Sequence, residues 1–165
     1  MTAPSPNAPL RPERPRDELG RPLPAGSATR LQLEPFDRLD PDTNQRLAVQ
    51  HFNRGQFFAA HEAWEACWRA ARETADEAFF KSLAQLAAGY THWRRGNAHG
   101  ARALLERASA GLRAYPPRHR GLDVAALLAA AREHAARFGE AERAGAPPPA
   151  VAVAPLALDE PQGPG

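Results

Sequence analysis

The chain has 165 residues and a formal net charge of +2, enough length for one domain with a buried core and too little charge imbalance to dictate a nucleic-acid partner. Its single cysteine, Cys67, excludes an internal disulfide and fits a reducing compartment. No run of about 18 apolar residues suggests a membrane span, and the N-terminus lacks the apolar stretch of a secretory signal, so a cytoplasmic location is expected.

Proline divides the sequence. Of 17 prolines, nine lie between Pro4 and Pro41 and six between Pro147 and Pro164; only Pro116 and Pro117 fall between those clusters. The expectation is an ordered domain over residues 40–143, preceded by a Pro-rich, mostly disordered arm (1–39) and followed by a Pro-rich disordered tail (144–165). Residues 45–143 carry fifteen basic side chains against ten acids. They are scattered over every helical segment, which reads as a solvated surface and makes a nucleic-acid partner the weakest alternative.

Taken in order, Phe36 and Leu39 precede a helix start at Asp40-Pro41, an acidic N-cap followed by proline at the first helical position. The first helix runs to about Arg54 with Leu47, Ala48 and Phe52 inward, and Gly55 stops it. The second covers about 56–72. Thr74 and Glu77 have capping-box spacing for the third, whose Phe79, Leu83, Leu86, Tyr90 and Trp93 form one stripe and which ends at Gly96. Asn97 caps the fourth, with Ala101, Leu104, Leu105, Ala108, Leu112 and Tyr115 on its inner face, and Pro116-Pro117 terminates it. Asp123 caps the fifth, Leu122 and Leu127 are spaced as its hydrophobic staple, and Val124, Leu128, Ala131, Ala135 and Phe138 face in. No segment alternates with a two-residue period. The fold class is therefore all-α, a compact bundle of about five helices. Arg54-Gly55-Gln56 and Arg95-Gly96-Asn97, 41 residues apart, mark a weak repeat and suggest hairpins packed in the tetratricopeptide manner.

The chemistry concentrates in FFAAHEAWEACW (Phe57 to Trp68). Phe57, His61, Trp64 and Trp68 recur at helical spacing, and Glu65 lies one turn beyond His61. An imidazole and a carboxylate set among large aromatics are costly unless they bind something or each other. As metal ligands, His61 and Glu65 can reach one ion, but two ligands are too few. Glu62, His92, His51 and His99 are candidates to complete the set, with His92 favoured because the third helix should pack antiparallel to the second. As a structural cluster, His61 would donate to Glu65 or accept from Gln85 or Tyr90 beneath Trp68. His61-Glu62-x-x-Glu65 departs from the His-Glu-x-x-His zinc helix, and repeated Glu-x-x-His pairs are absent, so neither a zinc protease nor a carboxylate-bridged bundle is expected. Cys67 reads as a buried thiol rather than a nucleophile.

FNRGQFFAAHEAWEACW (Phe52 to Trp68) followed by LAQLAAGYTHWRRGNAHGARALLERA (Leu83 to Ala108) resembles the bacterial and archaeal family known as domain of unknown function 309, marked by a His-x-x-x-Glu-x-x-Trp/Tyr motif that His61, Glu65 and Trp68 match. The resemblance covers about residues 45–115, and GRPLP (Gly20 to Pro24) also looks like an extension of some members. It implies an all-α fold and a proposed metal-binding role for the motif, and supplies no reaction. The leading expectation is thus a small helical protein with a divalent-metal site at His61, Glu65 and His92, and Trp68, Glu62, Gln85 and Tyr90 around the ligand. The alternative is a non-enzymatic module whose hairpins present a groove to a protein partner.

Overall fold

The computed structural model of the protein describes residues 15–160. Residues 15–32 belong to a small unit of their own. There Asp17, 6% exposed, accepts the backbone N–H of Leu19 (2.9 Å) and Arg21 (2.8 Å) and pairs with Arg21 Nε at 2.7 Å. Gly20, at φ +77°, makes the reversal that allows the bridge between Arg16 and Pro22. Within the arm expected to be Pro-rich and mostly disordered, residues 15–22 thus form a loop closed on an acid; the first fourteen residues lie outside the described residues.

The second unit begins at Leu33 and is helical. After a 3-10 turn at Phe36–Arg38 come α1 (Pro41–Asn53), α2 (Phe57–Ala70), α3 (Glu77–Arg94), α4 (Ala98–Leu112) and α5 (Val124–Arg143). The caps form from their sequence signals. Asp40 accepts from Thr43 N at 2.9 Å, Asn97 from Gly100 N at 2.9 Å and Asp123 from Ala126 N at 3.0 Å. Helix α3 differs. It starts after Asp76, and Glu77 accepts from the N–H of Glu73 rather than that of Thr74. The Asp76 carboxylate makes no cap because His119 (2.7 Å) and Arg120 (2.6 Å) hold it instead. Those two partners sit on a hairpin that sequence periodicity misses, β1 (Arg118–His119) paired antiparallel with β2 (Leu122–Asp123). Its two-residue turn needs positive φ at both positions, supplied by Arg120 (+50°) and Gly121 (+78°).

Each helix packs on its sequence neighbours, so the chain is a succession of antiparallel hairpins. α3 and α4 pack closely at Gly89, where a Cβ would stand 2.9 Å from Leu105 Cδ2 and 3.3 Å from its backbone nitrogen. The odd-numbered helices also meet one another through rings: Phe52 lies edge-on to Tyr90 (5.8 Å between centroids), and Trp93 stacks on Phe138 (6.3 Å). Trp64 is fully buried and donates its indole N–H to Gln45 Oε1 at 2.6 Å, which meets the requirement that a buried donor be paired. No helix among the described residues is long and apolar enough to cross a membrane.

Past α5 the composition predicts a disordered tail, yet the described part runs along the bundle as an extended strap. Val151, Val153, Leu156 and Leu158 pack against the core while their neighbours face solvent. Proline content does not reveal this, because Val151 with Val153 and Leu156 with Leu158 form two i, i+2 pairs that find a surface on the bundle. Residues 161–165 lie outside the described residues.

Candidate functional site

Helix α2 turns Phe57, Ala60, Ala63, Trp64 and Cys67 into the core. The 3.6-residue period then leaves His61, Glu62, Glu65 and Trp68 along its flank beside α3, all half-buried. His61 Nδ1 donates to the backbone carbonyl of Ala84 on α3 at 2.9 Å. That bond sets the tautomer and leaves Nε2 facing carboxylates, 3.2 Å from Glu65 Oε2 and 4.0 Å from Glu62 Oε1. Ligand atoms of His61, Glu62 and Glu65 all lie within 4.8 Å of one another, the single such group among the described residues.

Burial opposes charge on His61, but the hydrogen bond to Glu65, the Ala84 carbonyl and the nearby Glu62 outweigh it and raise its pKa. The same His61 bond holds the Glu65 carboxyl below its ordinary range against burial, with help from Arg69. Arg69 Nη1 lies 3.1 Å from Glu65 Oε1 and its Nη2 bonds Asp37, so one face of that carboxylate is already occupied by a cation.

The other expected residues are placed variously. Trp68 flanks the pair, with the Lys81 ammonium 5.5 Å from its ring. Gln85 is half-buried on α3 next to Ala84. Tyr90 is not brought to the site. It is buried on the other side of α3, its hydroxyl 2.7 Å from His134 Nδ1. His92, expected as the third ligand, also stays outside the group. Its Nδ1 lies 3.0 Å from Asn97 Nδ2, and burial, Arg95 and His61 together lower its pKa. His51 pairs with Glu34 at 2.8 Å, and His99 with Glu142 at 2.6 Å, so both have partners of their own. Cys67 is fully buried, its sulfur 3.6 Å from the Pro41 carbonyl and its thiol pushed up to about 12 by burial.

Helix packing predicts His92 as the third ligand, whereas the group within 4.8 Å is completed by Glu62, adjacent to His61 and also a candidate. The Ala84 carbonyl that holds His61 has no signal in the sequence, because a backbone acceptor carries no side-chain signature.

Chemically, the arrangement offers one imidazole nitrogen and two carboxylates from a single helical turn, with the imidazole oriented from behind. A one-sided set of this kind can hold a cation while leaving coordination positions toward solvent.

No curated protein and no solved structure matches the chain. Residues 46–104, which run from α1 into α4 and enclose His61, Glu62 and Glu65, match the model of the family described as Domain of unknown function (DUF309), the family to which the motif points.

Proposed function

We propose that the protein binds a divalent cation of the zinc or manganese class through His61 Nε2, Glu62 and Glu65. The observation that carries this reading is the hydrogen bond from His61 Nδ1 to the Ala84 carbonyl. A metal-bound histidine commonly has its second nitrogen tied in this way, which fixes both tautomer and ring orientation. Mixed nitrogen and carboxylate donors suit zinc, manganese or ferrous iron better than calcium or copper(I). Proton and cation compete for the same nitrogen, so binding should weaken as the solution becomes more acidic. Arg69 adds a second competition, and loading the site requires Glu65 to share or surrender that contact. A cytoplasmic setting is part of the proposal, on the strength of the single cysteine.

The test is elemental analysis of untagged protein purified without chelator, together with calorimetric titration of Zn²⁺ and Mn²⁺. Near-stoichiometric uptake by the wild type is expected, lost in His61→Ala and weakened at least ~10-fold in Glu62→Gln and in Glu65→Gln. If the wild type takes up neither ion, the trio is a hydrogen-bonded packing cluster and the proposal fails.

A further inference from the structure

The C-terminal strap is held much as a bound peptide would be. None of residues 144–160 is buried, and the fully buried side chains all come from earlier in the chain. It leaves α5 through Gly145, at φ +64°, and the stiff Pro147–Pro149 run. Its polar contacts from side chains of the bundle go chiefly to its backbone. Asn53 on α1 donates its amide N–H to Leu156 O at 2.8 Å and accepts from Leu156 N at 2.7 Å. Trp93 on α3 donates its indole N–H to Pro149 O at 2.9 Å. His134 on α5 bonds the backbone of Ala152. At the far end the N–H of Asp159 donates to Gly121 O at 2.9 Å, and Arg118 pairs with the Asp159 carboxylate.

An amide that meets both the N–H and the C=O of one residue reads an extended main chain without regard to its side chains. What selects among such chains is the apolar surface under Val151, Val153, Leu156 and Leu158 and the arginine at the end. Prolines at 149 and 155 bring no N–H that would need a partner in the groove.

From this we infer that the face formed by α1, α3 and α5 is a docking groove for an extended segment of a partner polypeptide, and that residues 147–159 are its intramolecular occupant. The partner segment has two pairs of aliphatic residues, each pair at i and i+2, with prolines among them and an acid at its C-terminal end. This inference stands apart from the cation reading, whose residues lie on α2. Tethering gives the strap an effective concentration on the order of millimolar, so the closed protein admits only partners that outcompete it.

The experiment uses the full chain and a fluorescent synthetic peptide of residues 146–160 (APPPAVAVAPLALDE). In the full chain, Val153→Asp with Leu158→Asp loosens the strap while leaving the groove intact. The loosened protein should bind the peptide at least 10-fold more tightly than the wild type does. Adding Asn53→Ala to it should remove most of that gain. No binding by the loosened protein, or equal binding by both, overturns the inference. So does loss of the helical circular-dichroism signal in the loosened protein, which would make the strap part of the fold rather than its ligand. Wild-type protein that dimerises with concentration in sedimentation would assign the groove to the strap of a second copy, and overturns it as well.

Discussion

His134 links three parts of the molecule: it stands on α5, its Nδ1 meets the Tyr90 hydroxyl on α3, and its ring bonds the backbone of Ala152 in the strap. Burial, the largest influence, holds its pKa below the ordinary imidazole value of about 6.5, with Arg137 adding to the effect while Glu133 and the Ala152 bond oppose it. The sign of the linkage follows. As pH falls through the ordinary value the unfolded chain takes up a proton before the folded one does, so stability is complete above that value and declines below it. His134→Gln should therefore cost ~1–3 kcal/mol at pH 8, where the Tyr90 hydroxyl loses its partner. The gap from wild type should narrow at pH 5.5. Urea denaturation at the two pH values checks this, and a gap that widens in acid would refute it. At this scale the sequence was legible wherever a helical period set the geometry. His61 and Glu65, four residues apart, do meet. It was illegible wherever the partner came from another element, as with His134 and Tyr90, or from the backbone, as with Ala84.

Elements were legible from their ends. Asp40, Asn97 and Asp123 cap the helices they precede because each has a free side-chain oxygen one turn before an unpaired N–H. Asp76 shows the limit, since a carboxylate recruited by His119 and Arg120 has no oxygen left to cap α3. The β1–β2 hairpin has only two residues per strand, too few for any alternation to register. Between elements, the contact of α3 with α4 depends on Gly89. Alanine there would gain ~1 kcal/mol of helix propensity, but its methyl would press on Leu105, which is fully buried and cannot withdraw. Overpacking of ~1–3 kcal/mol should win, so Gly89→Ala is expected to lower stability in urea denaturation. Combined with Leu105→Ala, its cost should fall short of the sum of the two single changes. A stabilised single variant would show that the helices separate more easily than their packing implies.

For the molecule as a whole, composition separates Pro-rich flanks from a helical middle but does not say what the described part of a flank touches. Proline content predicts disorder, whereas in the strap proline coexists with four aliphatic residues that pack against the core. Composition counts residues and is blind to their spacing. The all-α class, by contrast, rests on five long amphipathic stripes, and a stripe of that length has few ways to be anything but a helix. One residue near the middle of this array has a use as a reporter. Cys67 is the sole thiol, fully buried on α2 where the start of α1 lies across it, and too weakly acidic to react in place. Alkylation can therefore mark only chains in which those two helices have parted, and the mark is permanent. Iodoacetamide should label the native protein at least ~10³-fold more slowly than the urea-unfolded chain, as intact-mass spectrometry would record; labelling at a comparable rate would mean that the first hairpin opens by itself. Under slow labelling, a count of alkylated molecules over time becomes a clock of whole-chain opening, wound into the sequence by one sulfur atom.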